Sequence, residues 1–146
     1  MQKELLRNMV MQNQFTSSFS FNRVTNENAH LKLNDKTASI GFIFRHIAET
    51  INLFPGFFGV TPTVQNTTIG KIDEGHKYDV EKSRELINNG FKILEQLIED
   101  TPDDDWLLMI DTPFFGKVTR IRLFSHILFH NSHHAGQISM TLSKGN

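Results

Sequence analysis

Apolar residues recur at steps of three and four along several stretches of this chain, the spacing that lines one face of an α-helix. Between Ala38 and about Phe54 the positions are Ile40, Ile43, Phe44, Ile47, Ile51 and Phe54, and Pro55-Gly56 stops the run. Val80, Ile87, Phe91, Leu94, Leu97 and Ile98 form a second such face. Its period continues through Asn88-Asn89-Gly90, which predicts one helix with a weak point there instead of a turn. A further block runs from Thr119 to about Leu142 on Leu123, Ile127 and Ile138. The opening block, Lys3 to about Val24, is a poorer helix: Leu5, Leu6, Met9, Val10 and Phe19 fit, and Thr16-Ser17-Ser18-Phe19-Ser20 is indifferent to the period.

The connections between these blocks are long. About a dozen residues join the first two, a Thr/Pro/Asn/Gly-rich stretch from Val60 to Tyr78 joins the second and third, and Thr101 to Val118 joins the third and fourth. Strand signals are weak, with only Trp106 to Ile110 suited to brief pairing with Lys117-Val118. The expectation is an all-α protein, a four-helix bundle with long crossover connections.

Composition narrows the picture. The 146 residues suit one domain over 1–146, and 38% hydrophobic residues are enough to bury a core. Fifteen basic residues against 16 acidic ones leave a net charge of −1, without the dense positive field that nucleic acid or an anionic membrane requires. The absence of cysteine excludes a disulfide scaffold, a thiolate zinc site and a cysteine nucleophile. No segment has the apolar core of a signal peptide or the ~20 apolar residues of a membrane span, so the expected location is the cytoplasm.

Four of the seven histidines fall between His126 and His134. At ~100° per residue, His130, His133, His134 and Gln137 all lie within about 80° of His126 on the last helix, beside Leu123 and Ile127. A pair spaced i, i+4, such as His130 and His134, can share one metal ion, and His126 with His130 has the same spacing. A third ligand has to come from a facing helix, and His46, on the row Phe42, His46, Glu49/Thr50, Leu53, is the candidate. Three protein ligands leave a fourth position for water or substrate, the arrangement of catalytic sites. Asn131 stands where the zincin motif needs its glutamate, and Glu27-Asn28-Ala29-His30 matches the Glu-x-x-His unit of di-iron bundles without a second copy. His30 and His76 fall in predicted loops and read as surface residues.

His130-Asn131-Ser132-His133-His134-Ala135-Gly136-Gln137-Ile138, after Leu123-Phe124-Ser125-His126-Ile127-Leu128, resembles the C-terminal helix signature of the DinB-like superfamily, roughly H-x-x-H-H-R-G-Q-I. The segment Ser39 to Thr50 is similar to that family's second helix, which carries its first metal histidine. The resemblance implies a four-helix bundle in which His46, His130 and His134 hold a divalent metal, zinc or nickel, and a homodimer. It further implies kinship with thiol-dependent S-transferases and isomerases that use a low-molecular-weight thiol as co-substrate, and the expected activity is that of an S-transferase or a hydrolase acting on a small molecule. The alternative is a non-catalytic dimeric bundle that binds a small ligand or partner. Ala135 departs from the signature where arginine is frequent and removes an anion contact.

Two residues complete the expected machinery. Glu49, one turn after His46, is placed to orient a ligand imidazole or to act as a base, and His133 to shuttle protons. Gly136 is expected to admit a close helix approach, and Gln137 to satisfy a buried polar partner. Of the 13 phenylalanines, Phe42, Phe44, Phe91, Phe124 and Phe129 read as core. Phe54, Phe57, Phe58, Phe114 and Phe115, at or beyond helix ends, suit core filling, a substrate mouth or a dimer surface.

Overall fold

The periodic blocks become four helices, α1 (Gln2–Phe21), α2 (Ile40–Leu53), α3 (Val80–Asp100) and α4 (Arg120–Lys144), in a computed structural model that describes all 146 residues. Local chemistry sets their ends. The Ser39 hydroxyl accepts from Phe42 N at 3.2 Å to start α2, and the Asp79 carboxylate accepts from Lys82 N at 3.0 Å to start α3. Pro55 turns the end of α2 into a 3-10 segment, Phe54–Phe58, closed by Gly59 at φ 94°. The Thr101 hydroxyl donates to Leu97 O at 2.6 Å at the end of α3.

Packing follows the apolar faces. α2 lies against α3 and α4, and α1 against the same two. Going round the bundle the order is therefore α1, α3, α2, α4, with α1 and α2 across a diagonal, and the segment between them crosses the end of the bundle. The architecture is all-α, as the periodicity requires. A 25-residue core draws on every helix, with Phe44, Ile47, Leu94, Leu123, Phe124 and Ile138 fully buried.

Three features differ in detail from the sequence reading. The hairpin is β1 (Met109–Thr112) paired antiparallel with β2 (Gly116–Thr119), Ile110 opposite Val118, so pairing begins after Trp106. Trp106 sits in a 3-10 segment, Asp103–Leu107, because its ring is worth more in the core, 5.1 Å from Phe124, than on a two-stranded ribbon. α3 runs unbroken through Gly90, as the period requires, and the glycine has a packing role that the sequence does not mark: a Cβ there would lie 2.4 Å from Ile51 Cγ2, so the glycine is what lets α2 and α3 meet. Phe129 is 69% exposed and belongs to the surface instead of the core.

α1 explains its own poor pattern. Asn13, Ser17 and Ser20 face inward with Leu6, Val10 and Phe21, while Leu5, Met9, Met11, Phe15 and Phe19 face outward. Asn13 bonds across to α4, donating to Leu128 O and Ser132 Oγ at 2.9 Å and accepting from Asn131 Nδ2 at 3.2 Å. Asn131 thus points toward α1, on the side of α4 away from His130 and His134. No helix is long and apolar enough to cross a membrane.

Candidate metal centre

The contact between α2 and α4 sets the row of His46 against the row of His130 and His134. Three Nε2 atoms converge: His130 Nε2 lies 2.9 Å from His46 Nε2 and 3.1 Å from His134 Nε2. Imidazoles on a tetrahedral ion at ~2.0–2.1 Å hold their nitrogens ~3.3 Å apart, close to the two spacings His130 makes, and the ligand atoms of all three lie within 4.8 Å of one another.

Hydrogen bonding identifies what those nitrogens carry. Glu49 is fully buried and accepts from Thr67 N (2.9 Å), Thr67 Oγ1 (2.5 Å), Thr68 N (2.8 Å), Thr68 Oγ1 (2.5 Å) and Arg45 Nε (2.9 Å). The one hydroxyl proton of Thr68 is committed to Glu49, so at its 3.2 Å contact with His46 Nδ1 the threonine oxygen can only accept. His46 is therefore protonated on Nδ1 and bare on Nε2. His134 Nδ1 sits 2.6 Å from Gln137 Oε1, an acceptor, which leaves the Nε2 of His134 bare as well. His130 has a single proton to offer two lone pairs, and its Nδ1 is buried without a partner. Mutual hydrogen bonding leaves the three Nε2 atoms competing for one proton, whereas a cation among them engages the lone pair of each and puts the His130 proton on Nδ1. The donor set fits a divalent metal.

Electrostatics keep the ligands neutral. Burial pushes His46 down to about 4, with His134 adding to the shift and Glu49 opposing it. Burial and then the surrounding histidines, His134 first, push His130 down to about 2. His134 is lowered by burial, against the bond to Gln137. Glu49 is pushed up by burial, but its hydrogen bonds from Thr67, Thr68 and Arg45 outweigh that and hold it below the ordinary carboxylate range.

A pH prediction follows with a definite sign. The unfolded chain protonates His46 and His130 near 6.5, while the fold resists until about 4 and about 2. Between these limits the unfolded state binds more protons, so stability falls as pH falls. The melting temperature of chelator-treated protein should be flat above pH 7 and drop steadily from pH 6.5 to 4. An unchanged value across that window contradicts the assignment.

The other predicted residues separate clearly. His126 is enclosed by aromatic rings, Phe54 at 5.8 Å and Phe115 at 4.6 Å, and stays outside the cluster, which removes the pairing of His126 with His130. His133 is exposed, its ring 4.9 Å from that of His134, and lines a cleft of about 650 Å³ with His46, His134 and Thr68. Leu33, Phe42, Ile43 and Met140 supply apolar walls, Lys71 a cation, and the lining contains no carboxylate. Gly136 meets no helix: nothing lies within 4 Å of where its Cβ would be, and it keeps the cleft open. Gln137 is exposed and partners the half-buried His134 instead of a buried group. Ala135 is buried in the core and does not line the cleft. Glu27 and His30 are exposed and gather no second carboxylate, and His76 faces only Glu74 at 3.4 Å on the surface. Sequence reasoning missed Thr67 and Thr68, loop residues that no periodicity marks.

Comparison with known proteins gives the fold a lineage. No curated protein matches the sequence. Among solved structures, that of a conserved protein from Enterococcus faecalis superposes with a TM-score of 0.70 over 97% of both chains at 12% identity, a likeness of fold. A sequence profile described as the DinB superfamily matches residues 16–138, from within α1 to the late turns of α4 and across all three histidines. That span is most of the chain, and the protein belongs to the DinB superfamily.

Proposed function

We propose that this protein binds one divalent cation, zinc or nickel, through His46, His130 and His134 and acts on a small molecule entering by the adjoining cleft. The observation that carries the reading is the convergence of three Nε2 atoms, two of them bare because Thr68 and Gln137 hold the other ring nitrogen. Imidazole ligands suit zinc and nickel, and three neutral ones leave the full positive charge for an anionic partner. The ion supplies Lewis acidity, which favours ionisation of a protic ligand and stabilises developing negative charge.

This chain's residues then divide the work. Glu49 orients His46 through Thr68; with five donors on its two oxygens and no exposure to the cleft, it has no lone pair for a substrate proton. His133, exposed beside the cleft, is the group able to carry protons between substrate and solvent. A cleft with apolar walls and no carboxylate accommodates a small thiol whose sulfur ionises, the co-substrate of an S-transferase. Titrating cobalt-loaded protein with a short aliphatic thiol should produce a sulfur-to-metal charge-transfer band in the near ultraviolet. A spectrum indifferent to millimolar thiol removes the thiol chemistry and leaves hydrolysis.

A second copy covers α1 in this reading. From Asn8 to Asn22 the helix carries no charge, and Leu5, Met9, Met11, Phe15, Phe19 and the α4 residue Phe129 are 44–69% exposed. At ~200 Å² per large side chain they present roughly 700 Å², near the ~800 Å² each partner buries in a standard interface. Sedimentation should give a particle of twice 16.8 kDa, and a Phe15→Glu/Phe19→Glu variant should be monomeric. A monomeric wild type at high micromolar concentration contradicts this.

A further inference from the structure

Loop 60–79 is fastened to α2 at two points. The Asp73 carboxylate accepts from Ser39 N at 2.8 Å, at the start of α2, and residues 67 and 68 close on Glu49 ten residues further along. Just before the second of these anchors, Asn66 builds a turn on its own side chain, accepting from Thr68 N (3.2 Å) and Ile69 N (2.8 Å) and donating to Ile69 O (3.1 Å). The outcome is that a buried hydroxyl, 1% exposed at residue level, is held between a carboxylate and an imidazole.

We propose that Thr68 is the positioning residue of this centre: its hydroxyl, locked as a donor to Glu49, fixes the His46 proton on Nδ1 and presents a bare Nε2 to His130 and His134. Without that acceptor, His46 is free to carry its proton on Nε2 and donate to His130 Nε2, 2.9 Å away, which occupies the lone pairs a cation needs. The tautomer lock stands on hydrogen bonding alone; its consequence for metal affinity rests on the function proposed above.

Long-range proton–nitrogen spectra of the metal-free protein at neutral pH read the tautomer directly. The wild type should show His46 protonated on Nδ1, Thr68→Val should shift it toward Nε2–H, and Thr68→Ser should restore the wild-type pattern. In chelator competition with zinc, Thr68→Val should bind ~10–100-fold more weakly and Thr68→Ser within a few-fold of wild type, the scale of lost outer hydrogen bonds at metal sites. A wild type protonated on Nε2 overturns the proposal whether or not the variants fold. So does a folded Thr68→Val that keeps both the tautomer and the affinity. A tautomer shift in protein that takes up no zinc supports Thr68's role and overturns only the metal assignment.

Discussion

His130→Ala should abolish zinc binding while leaving the bundle folded. His130 is the shared vertex of the cluster, within 3.1 Å of both other Nε2 atoms, so its removal leaves two ligands on different helices with no common neighbour. The affinity loss should exceed the ~10–100-fold that removal of an outer hydrogen-bond partner costs, since a direct ligand is gone. Wild-type protein with zinc at a hundred times its dissociation constant should gain ~2.7 kcal/mol of stability, and the variant should gain nothing. The measurement is bound metal per chain after dialysis, with thermal melts in zinc and in chelator. His126→Ala is the control: its ring packs on Phe54 and Phe115, and that variant should keep one equivalent. Zinc retained at wild-type affinity by His130→Ala contradicts the site.

Glu49→Ala should be the most destabilising single change at the centre. The carboxylate is the sole acceptor shown for Arg45 Nε and for both Thr67 donors, and it takes the Thr68 hydroxyl proton, all at a residue with no exposure. Truncation leaves the mostly buried Arg45 guanidinium and the buried Thr68 hydroxyl without their acceptor, and releases Thr67 at the exposed edge of the loop. Breaking a buried ion pair from one side costs ~3–5 kcal/mol, against a total stability of ~5–15 kcal/mol for a domain. Urea unfolding of the metal-free variant should show that loss, together with faster amide exchange at Thr67 and Thr68. A loss under ~1 kcal/mol means the carboxylate does not hold the loop.

Legibility in the sequence tracked how local each determinant is. α2 and α3 announce themselves because apolar residues dominate their buried faces at helical spacing, even though α2 also buries Glu49, Thr50 and Asn52, and α4 because its histidines share one sector. α1 is blurred because Asn13, Ser17 and Ser20 occupy its inward face and phenylalanines its outward one, the reverse of what a lone helix in water prefers. His46 was visible as a histidine beside an apolar stripe. Spacing alone does not choose His134 over His126 as partner for His130, since both sit four residues away, and only the resemblance to the DinB-like signature picks His134. The choice itself depends on the height at which α2 crosses α4, a tertiary fact. Thr68 lies 22 residues from His46 in a loop whose path is set by Glu49 and Ser39, and no spacing rule connects the two. Ala135 and Gly136 show the complementary case, where only the packed structure tells a core-facing position from a cleft-facing one.

The central claim is that three imidazoles bind one cation and leave room for an outside ligand. X-ray absorption at the zinc edge of the reconstituted protein tests it most directly. The account predicts three imidazole nitrogens at ~2.0–2.1 Å with a further light-atom scatterer that a thiol replaces by sulfur at ~2.3 Å. A zinc ion with fewer than three imidazoles, or one already closed by four protein ligands, contradicts it.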